Sequence, residues 1–327
     1  MCRLSIIIPL CADDEQFEDT LVSVLQHRPR DCEVVVVHAV EYADPYELRD
    51  EVRFVRAAQN ASPVRMVNAG CDAARGEILH VVQPGVLAGD GWTENALKSF
   101  DDLQICSVAP LVVDAADPDL IVAAGLRYTR GGRRMLYGAG RRVSESRRLF
   151  QRPILGPALL AGFYRRWVWD AMGGFCEQLD AAWTDADFSL SLKSLGYRSV
   201  LDPECVLRSS AATVRDAGSF RSGYDAEQVF WRHAAAQGWL GSLMMHPGAV
   251  MGDVLRDGKR PGAYLHLLGR CAALFTAPKH LTHAARVRQA FEWFLLEKPP
   301  AATTRRLAHP EREASANRRL PGYRDAA

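Results

Sequence analysis

Hydrophobic and polar residues follow one another in short blocks over the first hundred positions. The apolar blocks are rich in β-branched residues and predict strands at 4–9, 32–39, 52–55 and 77–82. The continuous apolar run at 32–39 is typical of a strand buried on both faces. The intervening segments carry helix-type periodicity, as in 63–76, where Pro63 stands near the start and Gly76 past the end. We therefore predict an α/β fold with a wound, mostly parallel sheet and helices on both faces.

The second half of the chain changes from strands to helices. A helix is predicted at 184–196, where Thr184 and Asp187 match a T-x-x-D capping box. Apolar stripes then predict a largely helical region from about 224 to 297. The predicted organisation has three parts: a sheet domain at 1–215, a helical C-terminal extension at 216–298 and a flexible tail at 299–327.

Residues 126–152 stand out by charge. They contain nine arginines and one acid, Glu145, and glycines at 131, 132, 138 and 140, with one more at 125, interrupt any regular period. We predict a mobile basic excursion over the mouth of a cleft, where it would attract an anionic ligand. A solvated loop without such a role is the alternative, because charge runs are commonly only that.

Composition limits the classes of partner. The 327 residues carry a formal net charge of +1, which gives no general attraction to nucleic acid. The eight cysteines form no C-x-x-C pair and no secretory signal is evident, so a reducing cytoplasm is the predicted location. No apolar run reaches the ~18 residues that a membrane span needs. The one membrane contact that we consider is peripheral, between the C-terminal helices and the inner face of a membrane.

Three blocks of sequence, in this order, resemble the family 2 glycosyltransferases of the GT-A fold, over roughly residues 3 to 210. The first is "LSIIIPLCADDEQFEDTLVSVLQHRPRDCEVVVVHA" and the second is "VRMVNAGCDAARGEILHVV". The third is "GFYRRWVWDAMGGFCEQLDAAWTDADFSLSLKSLGYRSVLDPE", with a Gly-Gly-Phe and an acid near the start of a helix. The resemblance implies transfer of a sugar from a nucleotide-sugar donor to an acceptor, which the sequence does not identify.

The sequence also departs from the family pattern. Where the family usually has a metal-binding D-x-D after the fourth strand, this chain has Gln83-Pro84-Gly85. Hard divalent cations prefer carboxylate oxygens, and this tripeptide offers none, so we predict no metal ligand here and no cofactor besides the donor substrate. His38 stands where an acid usually contacts the base, and Arg208 stands where a metal-side His is expected.

Site residues follow from the resemblance position by position. Asp185 is the implied general base for inverting transfer, and the alternative is that it only stabilises the positive end of its helix. Asp187 is assigned to the helix cap. The implied donor-site residues are Pro9, Asp13, His38, Asn68, Gln83 and Arg208.

Two functions therefore stay open at the level of sequence. The first is a glycosyltransferase with a metal-independent or altered donor site, in which Arg208 neutralises the diphosphate. The second is a catalytically inactive relative that serves as a binding or scaffolding protein. The remaining Asp185 favours the first function, and the missing acids favour the second.

Overall fold

The computed structural model describes residues 3–10, 15–39, 47–210, 218–257 and 261–297. Its first half alternates strands and helices, as predicted. The elements are β1 Leu4–Leu10, α1 Glu15–His27, β2 Cys32–His38, β3 Val52–Arg56, α2 Pro63–Ala73, β4 Ile78–Val82, β5 Val86–Leu87, α3 Glu94–Ser99 and β6 Ile105–Asp114. The central elements are β7 Ile121–Ala123, β8 Leu126–Tyr128, β9 Arg134–Leu136, α4 Arg147–Phe150, β10 Ala161–Arg165, α5 Arg166–Met172, α6 Ala181–Ser194 and β11 Arg198–Ser209.

One mixed sheet organises these elements, in the strand order β3-β2-β1-β4-β10-β6-β11-β5. The first four strands are parallel neighbours. β10 runs antiparallel between β4 and β6, whereas β11 is parallel to β6 and antiparallel to β5. The predicted α/β sheet is therefore present, with its parallel half built from the apolar runs found in the sequence.

The sheet is covered on both faces. Alternate residues of β1 point to opposite sides of the sheet, and both sets are buried. Ile6 and Ile8 belong to one buried cluster, which also contains Phe17 of α1. Ile7 belongs to a second cluster, with Val67 of α2. Each fully buried aliphatic or aromatic side chain of this kind stabilises the fold by ~1.5–3 kcal/mol. The predicted helices on both faces are thus confirmed.

The basic segment 126–152 is more regular than its composition indicates. β8 and β9 pair as an antiparallel hairpin, and α4 follows. Gly132, Gly138 and Gly140 lie at turns with positive φ, which explains why glycines interrupt the sequence pattern. Its mobility stays a prediction.

The helix that carries Asp185 begins earlier than predicted. α6 starts at Ala181, and the side chain of Asp180 caps it by accepting a hydrogen bond from the backbone N–H of Ala182. The predicted capping box is therefore wrong: Thr184 and Asp187 lie inside the helix, and both are buried.

The C-terminal extension is helical, as predicted: α7 Phe220–His233, α8 Trp239–Asp257, α9 Pro261–Ala273, α10 Ala277–His280 and α11 His283–Glu297. α7 and α9 cross at two glycines. A Cβ on Gly223 would lie 1.8 Å from the carbonyl oxygen of His266, and one on Gly269 would lie 2.0 Å from that of Phe220. Only glycine permits this approach of the two backbones. Within the described residues, no helix combines the length and apolar character required to cross a membrane.

Candidate active site at the sheet edge

The carboxyl ends of the parallel strands meet at one edge of the sheet. Leu10 at the end of β1 lies opposite His38 at the end of β2. β4 is also parallel to β1, so Gln83, the residue after β4, lies at the same edge. Ligands of open α/β sheets bind outside this edge. The predicted grouping of Pro9, His38 and Gln83 at one edge is therefore confirmed by the strand register.

The Gln83-Pro84-Gly85 turn is held by its backbone. The Gln83 N–H donates to the Leu160 carbonyl oxygen at 3.0 Å. Gly85, at φ 84°, donates its N–H to Thr20 Oγ1 at 2.9 Å. Its carbonyl oxygen accepts from the Ser210 N–H at 2.8 Å. The turn is thus fixed to α1, to the segment before β10 and to the end of β11.

Asp185 is buried beneath an arginine. Arg134 of β9 donates from Nε to Asp185 Oδ1 at 2.9 Å and from Nη2 to Oδ2 at 2.6 Å. The Leu159 N–H donates to Oδ2 at 3.0 Å. The Asp185 side chain is fully buried, whereas 18% of the Arg134 side chain is exposed. Such a bidentate guanidinium–carboxylate pair is among the stronger hydrogen-bonded arrangements in proteins.

Two consecutive backbone groups connect Asp185 to the turn. Leu159 bonds to the Asp185 carboxylate, and the next residue, Leu160, bonds to Gln83. Residues far apart in sequence are therefore attached to one dipeptide. That Asp185 acts as a base stays a prediction.

The other predicted donor-site residues differ in burial and in the strand that carries them. Pro9 is buried in β1, and His38 is half-buried, with its ring edge-on to Phe54. Arg208 is exposed on β11, opposite Leu87 of β5, the strand that follows the Gln83 turn. Asp13 lies outside the described residues.

Asn68 has a structural contact that its sequence position did not reveal. It is buried in α2, where its amide donates to the Phe175 carbonyl oxygen at 2.9 Å and its side-chain oxygen accepts from the Phe175 N–H at 2.9 Å. Both bonds fix the Gly-Gly-Phe segment before α6. A direct contact with the donor stays a prediction.

A second buried acid lies two residues along α6. Asp187 Oδ2 accepts from Arg232 Nη1 at 3.1 Å, and its Oδ1 lies 2.8 Å from His233 Nε2. His283 of α11 packs edge-on against His233, with 5.5 Å between ring centroids. Asp187 does not cap the helix; it joins α6 to α7 and α11.

Asp187, His233 and His283 offer three ligand atoms within 4.8 Å of one another, a spacing that could hold a metal ion. However, the Arg232 guanidinium is already bonded to the same carboxylate and has no exposed surface. A cation placed there would meet this fixed positive charge in a poorly screened interior. The residues therefore fit a buried ion-pair cluster better than a metal site.

Burial and charge set the pKa values in this cluster. Burial alone would raise the pKa of Asp187, but Arg232 and the hydrogen bond with His233 outweigh it and lower that pKa. Burial lowers the pKa of His283 to about 3, against the opposing effect of the Asp187 carboxylate. The cluster thus holds a carboxylate bonded to a guanidinium and to His233, beside a His283 that is neutral at physiological pH.

Sequence reasoning missed Arg134 and Arg232, the partners of the two acids. It placed a basic segment over the cleft, which includes Arg134, but nine arginines at irregular spacing gave no reason to choose one. Arg232 lies in the segment 224–297, which showed only an apolar stripe. Both pairings are long-range contacts that local periodicity does not encode.

No protein-family model matches the sequence, and no curated protein matches it. Solved structures do. The crystal structure of GalNAc-T7 with UDP, GalNAc and Mn2+ is 14% identical, with a TM-score of 0.53, and the match covers 70% of this chain and 47% of that one. This chain therefore spans about half the length of GalNAc-T7.

Two further structures are similar at lower TM-scores. The mannosyltransferase PcManGT from Pyrobaculum calidifontis, in complex with GDP-Man and Mn2+, is 17% identical, with a TM-score of 0.47 and coverage of 90% of this chain and 88% of that one. TarS from S. aureus is 15% identical, with a TM-score of 0.48 and coverage of 72% and 39%. The likeness to GalNAc-T7 confirms the predicted GT-A-like α/β fold.

Proposed function

We propose that this protein is a glycosyltransferase that moves a sugar from a nucleotide-sugar donor to an acceptor, and that protein cations rather than a D-x-D-bound metal neutralise the donor diphosphate. The observation that supports this most directly is the Asp185–Arg134 pair, attached through Leu159 and Leu160 to the Gln83 turn. The pair supplies a carboxylate and a cation at the edge where such folds bind ligands.

Asp185 is the proposed base that takes the proton of the acceptor hydroxyl. A carboxylate offers about four acceptor positions, and three of them are engaged, so Oδ1 retains one. The side chain is fully buried, however, so an acceptor hydroxyl reaches Oδ1 only when Arg134 moves aside. A diphosphate offers Arg134 an alternative partner, which would couple donor binding to exposure of the base.

Departure of a nucleoside diphosphate requires stabilisation of negative charge, and preorganised cations can supply it. Arg208 is on β11, and Ser210 just after that strand bonds to Gly85 of the turn, whereas Arg134 is connected to the turn through Asp185. A guanidinium suits bidentate contact with phosphate. The Gln83-Pro84-Gly85 sequence has no carboxylate for a hard divalent cation. Both arguments favour a metal-independent donor site.

Turnover of UDP- and GDP-sugars by the native protein and by Asp185→Asn tests the base. Loss of a general base should slow transfer by ~10²–10⁴-fold. Asp180→Asn is the matched control, because it makes the same chemical change at the start of the same helix and asparagine also caps helices well. An unchanged rate in Asp185→Asn would remove Asp185 from the mechanism.

Calorimetry with UDP and GDP, in EDTA and in Mn2+, tests the donor site. We expect binding without metal, and Arg208→Ala should weaken it by ~1.5–3 kcal/mol, the value of a hydrogen bond to a charged group. Arg198→Ala, at the opposite end of the same strand, is the control. Binding that requires Mn2+ would contradict the metal-independent site. No binding under any condition would support the inactive binding or scaffolding alternative.

A further inference from the structure

The longest helix of the C-terminal extension has its polar and apolar faces reversed. Every exposed side chain in the described part of α8 (239–255) is nonpolar. These exposed residues are Trp239, Leu240, Leu243, Met244, Met245, Pro247, Met251 and Leu255. Helices of proteins in water usually direct such a stripe toward the core.

The inward side of α8 is polar. His246 Nε2 lies 2.9 Å from Glu227 Oε1, and its Nδ1 lies 2.8 Å from the Gly131 carbonyl oxygen. Asp253 pairs with Arg133 at 3.4 Å and with Arg270 at 3.8 Å. These ion pairs and hydrogen bonds fix which side of α8 faces the protein. If α8 rotated to turn its apolar side inward, His246 and Asp253 would lose these partners. The partners they left behind would be buried without a compensating charge or hydrogen bond.

α9 repeats the arrangement. Its close crossing with α7 leaves room only for small residues, and Gly269 and the buried Ala263 face inward. Arg270 is also buried on the inward side. Tyr264, Leu265 and Leu268 are exposed, and so are Leu274 and Phe275 just beyond the helix, the latter by 89%. No charged side chain is exposed in the described stretch 262–275. Together, the exposed side chains of α8 and α9 with Leu274 and Phe275 form what we call the reversed-helix face.

We propose that the reversed-helix face docks on an anionic membrane surface, with α8 lying in the plane of the interface. Exposed apolar surface on this scale marks a contact with lipid or protein rather than with water. An α8 of 19 residues is ~28 Å long at ~1.5 Å per residue, so it presents a stripe rather than a pocket. Apolar side chains of this kind insert into the boundary between headgroups and acyl chains.

Charge complementarity favours lipid as the occupant. The described residues that follow the face, 276–297, contain three exposed bases, Lys279, Arg286 and Arg288, against two exposed acids, Glu292 and Glu297. Basic residues beside an inserted apolar face attract anionic headgroups. The exposed side chains that make up the face carry no charge, whereas protein interfaces are enriched in arginine and have a polar rim.

The C-terminal 30 residues are a poor alternative cover. Residues 298–327 contain three large apolar side chains, Leu307, Leu320 and Tyr323, against seven lysines and arginines. A segment of this composition cannot shield an aliphatic stripe from water. Its charge instead has the sign that an anionic membrane would attract.

Co-sedimentation of the full chain with vesicles tests the proposal without any sugar donor, so its result is independent of the proposed activity. We expect binding to vesicles of phosphatidylcholine with phosphatidylglycerol, and weaker binding to phosphatidylcholine alone. The variant Leu240→Gln/Met244→Gln/Phe275→Ser should reduce the partition coefficient by about 10–100-fold, because three inserted side chains are lost. All three side chains are exposed, so their replacement removes no core packing.

Val22→Gln is the matched control, since Val22 is an exposed apolar residue on α1, outside the face. It should leave vesicle binding unchanged. Sedimentation velocity without lipid supplies the competing result: a dimer that the triple variant dissociates would show that a second copy covers the face. That result, or a native protein that fails to bind either vesicle, would overturn the proposal.

Discussion

Asp185 and Asp187 stand two residues apart on α6, and each is bonded to an arginine, yet their surroundings differ. Asp185 pairs with Arg134, whose side chain is 18% exposed. Asp187 pairs with Arg232, which has no exposed surface, among the histidines of α7 and α11. The first pair can separate into solvent, whereas the second cannot. Two acids on one helix thus form one ion pair that reaches the surface and one that is enclosed in the core.

A third pair completes the comparison at the surface. Arg142 Nη1 lies 2.9 Å from Asp117 Oδ2, with both side chains exposed. The three pairs form a series from interior to surface. If burial decides what such a pair contributes, the effect of breaking each one should fall in that order.

Asp187→Asn should have the largest effect on stability. It leaves Arg232 charged and buried without its carboxylate, which typically lowers the free energy of unfolding by ~3–5 kcal/mol. Urea unfolding followed by tryptophan fluorescence measures it. The double variant Asp187→Leu/Arg232→Met is the control, because replacing both charges with apolar groups should recover much of the loss. If Asp187→Asn were as stable as the native protein, burial would not decide what an ion pair contributes to stability.

Arg134→Met should have a smaller effect, a loss of ~1.5–3 kcal/mol for hydrogen bonds to a charged group. Water can enter the site that Arg134 vacates, since that side chain already reaches the surface. The same urea titration measures the change. A loss as large as that of Asp187→Asn would mean that this pair is as enclosed as the core pair.

Acid should weaken the core cluster through His283. The pKa of His283 is about 3 in the folded protein, against ~6.5 in the unfolded chain. Between these values the unfolded chain binds a proton that the folded chain does not, so stability falls as pH decreases. His283→Gln should reduce the slope of stability against pH by ~1.4 kcal/mol per unit in that window. Above pH ~7 the two slopes should coincide, and equal slopes below it would contradict the prediction.

Arg142→Ala should have the smallest effect, ~0.2–1 kcal/mol, because water and salt screen an exposed pair. Thermal unfolding at low and high salt measures it, and the difference from the native protein should shrink as salt is added. A larger, salt-independent loss would show that the segment 126–152 contributes to stability through packing rather than charge.

The sheet was predictable because its information is local. The four valines at 34–37 in the middle of β2 are all buried, as expected of a strand that is covered on both faces. The end of β4 before Gln83 followed from the apolar run at 77–82 and the Pro-Gly turn after it. The parallel direction of the first four strands, with their carboxyl ends at one edge, then follows from the general behaviour of wound α/β sheets. The antiparallel position of β10 between β4 and β6 does not.

The start of α6 was not predictable in this way. The T-x-x-D sequence can occur both at the start of a helix and inside one. Only the packing of α7 and α11 against α6 shows that Asp187 is buried. The partners of both acids come from segments 45 and 51 residues away. The orientation of α8 has the same origin: its period reveals an apolar stripe, but not that Glu227, Arg133 and Arg270 hold the opposite side inward.

The reversed-helix face also affects how the protein responds to temperature. The heat capacity of unfolding comes mainly from apolar surface that becomes exposed, and much of the apolar surface of α8 is exposed already. Local opening of α8 should therefore have a small heat-capacity change, whereas opening of the sheet should have a large one. Cooling weakens burial in the sheet core but leaves the ion pairs beneath α8 largely unaffected. Amide exchange at α8 should vary less with temperature than exchange at β1 and β2.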